Sequence, residues 1–583
     1  MNSGQPTELT AVTFNQILAY VNDVEKSGGA FQKSLRIHFL RNFTIEPIAP
    51  YLKYYCYQAG IQPILSYSDY GNLRHALLDP ESAIVTSSPD IIILSQYFDS
   101  CDLEAQTQDD TPGLVALALE KTSATILVNT QIPDLWPHLV ETGPESGGRP
   151  RFFEDVNRSV RSICAAHPAR VILMDWERYI QRVGAQDALD SRYWYLNKAP
   201  LKKTFLSHYA IDIARVAKVL VGQVKKCLIL DCDNTLWGGI VGEDGVSGIK
   251  LDKNEYPGKI FYDFHQIIIG LAHRGVMICL CSKNNEADIF EVLDQHTDCL
   301  IKRTHLSGFQ INWEDKASNI RLLAERLNIG LDSMVFVDDS GIECDWVAKA
   351  LPEVTVVQVP KDLSQLPALI LKGQFFDTLT LSAEDKTRTL GYQQEQRRQN
   401  TAQQFADVEE YLASLALEVD IHECLPTEIA RVAQLTQKTN QFNLRGRRYS
   451  EGDITRFVES DQHKVMVLWV KDRFGEYGLT GAAILAHTPE GVEMDTLLMS
   501  CRILSRRVEF AFLTQCIDLA HRSWAVPTVA VPFVPTAKNA QVKQFLDAVG
   551  CVFEDREGVA WGLITGLPNT PKIQFIQFKE MGR

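Results

Sequence analysis

The feature that most constrains the fold is a short apolar run, Cys227–Leu230, that ends on Asp231, Cys232, Asp233, Asn234 and Thr235. Four apolar residues bounded by polar ones suit a strand buried on both faces of a parallel sheet. Such a strand needs helices over both faces, which predicts a layered α/β fold. Open α/β sheets bind ligands beyond the carboxyl ends of their strands, where Asp231 and Asp233 fall. The two acids lie two positions apart, so strand periodicity sets them on one face. A loop curling after the strand can then bring both to one ligand. Hard carboxylate oxygens suit Mg2+. The pair equally suits a nucleophile with an acid/base partner.

Downstream features extend the pattern. Val276–Leu280 reads as a second buried strand, followed by Ser282, Lys283 and Asn284. Lys316 opens a helical spacing of Ile320, Leu323, Ala324 and Leu327. Met334–Val337 reads as a third strand and ends on Asp338 and Asp339. In this order these elements resemble the four motifs of the haloacid-dehalogenase-like phosphatase superfamily. The apolar residues between Tyr256 and Gly275 follow helical spacing and predict a core helix. The interval from Thr235 to Val276 has no room for a large cap domain besides that helix. Its first part, LWGGIVGEDG, is rich in glycine, which permits positive φ and close backbone approach. It reads as a tight hairpin, as a flap over the site, or as both. Trp237 either walls the site or packs. Lys302 rivals Lys316 as the phosphate-binding lysine; Lys316 is preferred because it begins the helix that leads to the Asp338 strand.

At 583 residues the chain needs several cores. A formal charge of −15 argues against generic nucleic-acid binding, which needs a basic footprint. No run of about 18 apolar residues is present, so no membrane span is expected. The N-terminus has no basic-then-apolar signal pattern. Thirteen cysteines, an odd number, without zinc-like CxxC spacing, read as reduced thiols. A cytoplasmic location is the expectation.

Residues 1–220 alternate candidate strands (Leu35–Leu40, Pro63–Tyr67, Ile91–Leu94, Ala124–Val128, Val171–Met174) with helices, which predicts a doubly wound parallel sheet. The pattern resembles an SGNH esterase-like fold. The stretch after its first strand is Asn42-Phe43-Thr44, without the serine of that class. His208 is a candidate for the late histidine, but a lone histidine is more often an ordinary helix residue. A non-catalytic scaffold is expected, with Tyr193, Trp194, Tyr195 and Pro200 on a loop before a helix at Tyr209–Leu220. Residues 221–375 form the phosphatase-like core. Residues 376–416 read as a solvated helical linker in which Gly391, Tyr392 and Arg397 could dock on that core. Residues 417–583 mix strands (Val465–Val470, Gly481–Ala486, Thr528–Val531) with a helix, Val508–Ala520. An Arg-rich turn, Cys501–Glu509, precedes the helix. This region resembles the acyl-CoA N-acyltransferase (GNAT) fold, an α+β architecture. Backbone amides at a helix start, with Arg502, Arg506 and Arg507 nearby, could hold the phosphate of a pantetheine arm. Ser505 and Arg507 stand where that fold favours glycine, which weighs against acetyl-CoA chemistry and leaves carrier-protein docking open.

Several segments together are similar to one family: DCDNTLWGGIVGEDG, INWEDKASNI before VFVDD, LTQKTNQFNLRGRRYS, DRFGEYG, MSCRILSRRVE and PTAKN. They resemble FkbH-like proteins, the glyceryltransferase/phosphatase enzymes of polyketide biosynthesis. The resemblance implies removal of phosphate from D-1,3-bisphosphoglycerate and placement of the glyceryl group on the phosphopantetheine thiol of an acyl carrier protein. It implies Asp231 as the phosphoryl acceptor and Asp233 as the acid/base. Mg2+ would be held by Asp231, the Asp233 carbonyl and Asp338, with Asp339 a further candidate. Ser282 and Lys316 would neutralise phosphoryl oxygens, with Asn234, Thr235, Trp237 and Asn284 as further substrate contacts. Cys232, between the two aspartates, is the first candidate for an acyl-enzyme thioester, and Cys501 the second. Arg445, Arg447, Arg448, Arg506 and Arg507 could form a basic patch for an acidic carrier. The family pattern leads one to expect Asn-Pro after Asp339, where this chain has Ser340-Gly341. Two other readings stay open: loading of another three-carbon acyl group such as lactyl, and a hydrolytic phosphatase acting on a small metabolite.

Overall fold

The structure is a computed structural model. It describes residues 12–29, 31, 33–98, 110–132, 149–379, 394, 398, 401, 405, 407–439, 441–536, 539–556, 559–566 and 573–579. Gly391, Tyr392 and Arg397 lie outside the described residues, with most of the expected linker. The chain divides into two compact units. One holds the described residues up to Gln223 together with Arg448–Arg456; the other holds Val224–Arg447 and the chain from Phe457 onward. Among the described residues no helix is long and apolar enough to cross a membrane.

The first unit is built on five strands: β1 (Lys33–Arg41), β2 (Ile61–Tyr67), β3 (Ile91–Ser95), β4 (Thr125–Asn129) and β5 (Val171–Met174). All pair in parallel, in the order β2-β1-β3-β4-β5. Every residue of β3 and β4 is buried, as central strands covered on both faces require. The switch in strand order falls between β1 and β3. There the Asn42 side chain donates to the Tyr97 carbonyl (3.1 Å) and accepts from the Tyr97 amide (2.9 Å). The segment expected as a loop around Tyr193 is a short helix, Ser191–Asn197, because the Asp190 carboxylate caps it by accepting from the Tyr193 amide.

The second unit holds two sheets. The first consists of β6 (Cys227–Leu230), β7 (Met277–Ser282), β8 (Leu306–Ile311), β9 (Met334–Asp338) and β10 (Thr355–Gln358). It too is parallel, in the order β10-β9-β6-β7-β8, so β6 is the central strand. Alternate residues of β6 point to opposite layers. Leu228 and Leu230 pack with Phe261 and Phe264 of the helix Gly258–His273, while Cys227 and Ile229 pack with Ile320 and Leu323 of the helix Lys316–Leu327. The glycine-rich stretch is not a plain hairpin. It holds a short helix, Val241–Gly248, kinked at Gly245, whose φ of 67° suits a residue without Cβ.

The second sheet contains β11 (Leu417–Glu423), β12 (Phe442–Asn443), β13 (His463–Asp472), β14 (Gly475–Thr488), β15 (Gly491–Met499), β16 (Thr528–Phe533), β17 (Val552–Arg556), β18 (Val559–Thr565) and β19 (Ile576–Phe578). Strands β13, β14 and β15 form an antiparallel meander, and the helix Val508–Trp524 crosses over to β16, which runs parallel to β15. This is the α+β topology expected from the sequence. β15 and β16 pair only at Val492↔Val529 and Glu493↔Ala530. Farther along, β12 pairs with Leu498 and Met499 of β15, and the Leu444 carbonyl accepts from the Val534 amide just past β16. The segment after Gln441 thus lies in the gap where the two parallel strands part.

The DRFGEYG motif also has a structural use. The Asp472 carboxylate accepts from the amides of Phe474 and Gly475 and from the Tyr477 hydroxyl, which closes the β13–β14 turn. Its other partner is Arg398, a buried guanidinium 2.6 Å away and stacked 4.1 Å from the Tyr477 ring centre. Breaking such a buried pair from one side typically costs about 3–5 kcal/mol.

Candidate phosphoryl-transfer site

The site forms at the switch point of the β6–β10 sheet, where β6 and β9 lie side by side. Asp231 follows β6 and Asp338 ends β9. The parallel register sets Leu230 beside Val337, so the two carboxylates emerge together. Lys316 stands between them, its Nζ 3.0 Å from Asp231 Oδ1 and 2.5 Å from Asp338 Oδ2. All three are buried. Lys316 is the first residue of its helix, capped by Asp315, whose carboxylate accepts from the Ser318 amide (3.1 Å) and the Trp346 indole (3.2 Å). That cap fixes where the lysine stem departs. Lys302, the rival, donates instead to the Leu293 carbonyl (2.7 Å).

The electrostatics follow from this burial. Desolvation pushes the Asp231 carboxyl up to about 6, with Lys316 opposing. Burial alone would discharge Lys316, but Asp231 and Asp338 outweigh it and hold the ammonium above its ordinary range. Asp339 is raised by burial and then by Asp338. Asp231, Asp338 and Asp339 can each offer one carboxylate oxygen, all within 4.8 Å of one another. An all-oxygen set of three acids suits a hard divalent cation such as Mg2+.

Asp233 is aimed by three donors. Its Oδ1 accepts from the Trp237 indole (2.9 Å) and the Val241 amide (3.0 Å), and its Oδ2 accepts from the Asn284 amide group (3.0 Å). Asn284 also donates to Ser282 Oγ (3.1 Å), and the Ser282 hydroxyl bonds the Asp231 carboxylate. One chain of hydrogen bonds therefore links Asp233 to Asp231 through Asn284 and Ser282. Asn234 sits at a φ of 53° and accepts from the Gly239 amide (2.9 Å), shaping the turn of the flap. Thr235 is fully buried, and its hydroxyl oxygen has no hydrogen-bond partner among the described residues.

Several expectations need correction. Trp237 is fully buried in the core of its layer, so it orients Asp233 and does not wall a substrate space. Cys232 alternates away from Asp231 into the Leu228–Leu230 layer. Its thiol is fully buried and is pushed well above the usual range, by desolvation first and Asp231 second. Of Cys501, the structure describes only that it begins a short 3-10 turn, Cys501–Ile503. Several of the arginines expected to form an open basic patch are engaged by acids or withdrawn from solvent. Arg445 pairs with Glu493 and Asp495, Arg447 with Asp495 and Arg507 with Glu409 (3.1 Å). Arg448 and Arg506 are largely withdrawn from solvent; Arg506 donates to the Arg502 and Leu504 carbonyls. Ser505 and Arg507 keep positive φ, 65° and 63°, so the turn has the backbone shape glycine would favour without its glycines.

Other contacts carry no local sequence signal. Lys283 pairs with Glu343 (2.6 Å), sixty positions away along the chain. Ser340, where Asn was expected, caps the helix Gly341–Ala350 and donates its amide to Asp338 Oδ1 (2.8 Å). A shorter side chain thus still serves the turn that presents Asp338.

No protein-family model and no curated protein sequence matches the chain. Among solved structures it is similar to the N-terminal part of the protein BF1531 from Bacteroides fragilis, which contains a phosphatase domain and was crystallised with Mg. The two share 26% identity at a TM-score of 0.55, over 63% of this chain and 100% of that one. It also matches a spermidine N-acetyltransferase SpeG mutant from Vibrio cholerae (10% identity, TM-score 0.20, 25% of this chain and 93% of that one). A GNAT-family acetyltransferase from Streptococcus pneumoniae matches at 12% identity and a TM-score of 0.21, over 25% of this chain and 99% of that one. The last two likenesses bear on neither activity nor substrate. The chain is a multidomain α/β protein that carries a phosphatase-like domain.

Proposed function

We propose that the chain removes phosphate from D-1,3-bisphosphoglycerate and delivers the glyceryl group to the phosphopantetheine thiol of an acyl carrier protein. The observation that carries the phosphatase part is the placement of Lys316 between Asp231 and Asp338, with Asp233 aimed by three donors. Asp231, Asp338 and Asp339 would hold Mg2+, with the Asp233 carbonyl a fourth candidate; the ion would supply charge neutralisation for the phosphoryl oxygens. The Asp231 carboxylate attacks the phosphorus of the ester phosphate. A P–O bond forms on Asp231 as the bond to the substrate oxygen breaks, and Asp233 delivers a proton to that leaving oxygen. Water then attacks the aspartyl phosphate, with Asp233 taking its proton. Lys316 and Ser282 offset the charge gathering on the phosphoryl oxygens.

The acyl stage rests on the resemblance of the motifs, chiefly TNQFNL and DRFGEYG, to the glyceryl-transferring family. At the acyl phosphate a thiolate forms a C–S bond and phosphate leaves with the C–O electron pair. Cys232 is adjacent to Asp231, yet ionising its thiol is opposed by burial. Direct attack by the pantetheine thiol avoids that cost, and the burial of Cys232 favours this second route. Loading of another three-carbon acyl group such as lactyl and a purely hydrolytic phosphatase are the other readings.

Intact-protein mass spectrometry with D-1,3-bisphosphoglycerate and a holo carrier protein separates them. A glyceryl adduct on the enzyme and then on the carrier supports the thioester route. An adduct on the carrier alone supports direct attack. Phosphate release with neither adduct refutes transfer.

A further inference from the structure

The first unit carries an exposed contact surface on the segment between Leu189 and Leu201. These two residues pair as an antiparallel bridge, and the Asp190 amide donates to the Pro200 carbonyl (2.8 Å), so the ends of the segment meet. The segment is fastened to the chain just past β1. Thr44 donates its amide to the Lys198 carbonyl (2.8 Å) and its hydroxyl to the Asn197 carbonyl (2.7 Å). Trp194 packs against Tyr97, with ring centres 5.0 Å apart. Its neighbours face solvent: Tyr193, Tyr195 and Leu196 are 53%, 73% and 62% exposed. Three large apolar side chains on one compact, closed and anchored loop mark a place where another molecule sits.

The charges around them are of one sign. From Ser191 to Lys203 the chain has four cations, Arg192, Lys198, Lys202 and Lys203, and no acid. None of the four forms an ion pair among the described residues. Lys198 Nζ lies 4.2 Å from the centre of the Trp194 ring, and Lys202 donates to the Gln186 carbonyl (2.5 Å), both neutral partners. The acid just before the stretch, Asp190, is engaged as the helix cap. Arg445, Arg447 and Arg507 of the C-terminal region are held by carboxylates instead. Tyr and Arg are the side chains that most often anchor protein interfaces, and a cationic rim selects an acidic partner. An anionic membrane is the poorer fit. A broad lipid surface would meet the −15 charge of the whole chain, whereas a small protein meets only the patch. We propose that this surface docks the acidic carrier protein of the acyl-transfer reading, on which the identity of the partner rests.

The test is equilibrium binding of an acidic holo acyl carrier protein to the full-length chain, with glyceryl transfer to that carrier followed in parallel. Arg192→Glu/Lys203→Glu is expected to weaken binding by about tenfold or more. Phosphate release from a small phosphate ester and thermal unfolding should not change, because neither side chain is paired. Tyr195→Ser should weaken binding as well. Arg192→Lys/Lys203→Arg keeps the charge and should bind as the wild type does. Lys349→Glu/Lys372→Glu makes an equal reversal at exposed lysines of the second unit and should leave binding intact, which separates a local contact from net charge. Binding should also weaken as salt rises. No saturable binding by the wild-type chain would overturn the proposal, as would an equal loss in the two Glu pairs. Binding unchanged in Arg192→Glu/Lys203→Glu would overturn it too, while transfer to the carrier would still uphold the acyl-transfer reading. Binding lost in that variant, with no transfer by the wild-type chain, would keep the docking surface and refute acyl transfer. Vesicles of equimolar phosphatidylserine and phosphatidylcholine should not retain the wild-type chain; retention that Arg192→Glu/Lys203→Glu abolishes would assign the surface to a membrane and overturn the proposal.

Discussion

The two parallel sheets make a direct comparison. Each has five strands with one switch in strand order, and at each switch two neighbouring strand ends face one another. In the β1–β5 sheet that point is closed by Asn42, whose amide satisfies both backbone groups of Tyr97. Nearby, Asn129 and Gln96 bond in the same reciprocal way, and Asn157 and Gln131 do so too. These bonds are neutral and mutually satisfied, which stabilises the loops they join. In the β6–β10 sheet the same position holds buried carboxylates around one ammonium. That arrangement is costly to desolvate and is characteristic of sites built to meet a charged ligand. Topology provides the crevice, and the side chains at the strand ends decide whether it closes or reacts.

The comparison can be broken most sharply at Asp231. Asp231→Asn should lower phosphate release by roughly 10^4-fold or more, because no neighbouring group replaces the attacking carboxylate. Unchanged release, measured on a phosphate ester with Mg2+ present, would remove the active role from this sheet. Lys316→Met comes next, with a loss on the order of 10^2- to 10^3-fold. It also leaves Asp231 and Asp338 facing each other without a cation, so calorimetry should show destabilisation of about 3–5 kcal/mol. Added Mg2+ should recover part of that stability, since a ligand of the folded state raises the melting temperature.

Two smaller effects sharpen the contrast. Trp237→Phe keeps the ring in the core but removes one of the three donors that aim Asp233. A fall of about tenfold in kcat with little change in KM is expected, the equivalent of one ordinary hydrogen bond. An equal rise in KM would mean that the indole touches substrate after all. In the closed sheet, Asn42→Ala should cost about 1–3 kcal/mol of stability in denaturant unfolding and leave phosphate release unaltered. A large loss of activity from that change would show that the first sheet takes part in the reaction.

Much of this was legible in the chain. Cys227–Leu230 and Val171–Met174 are strands with the bounds expected, because short apolar runs bracketed by polar residues have few other uses in a layered fold. The order of Asp231, Ser282, Lys316 and Asp338 also foretold which groups converge. β8 was not foreseen; its LSGFQI mixes small and polar residues and gives a weak periodic signal. The Val241–Gly248 helix was hidden for a related reason. Its glycines argue locally for a turn, while the Ile240 carbonyl accepting from the amides of Glu243 and Asp244 favours a helical turn there.

The sequence by itself determined the α/β layering, the phosphatase-like motif order and the identity of the charged groups, because these depend on periodicity and on residue type at strand ends. Only the tertiary structure decided which way each group faces. It turned Cys232 and Trp237 into the core and paired several of the arginines expected to form a basic patch. Those outcomes depend on contacts between residues far apart in the chain, and local spacing carries no record of them.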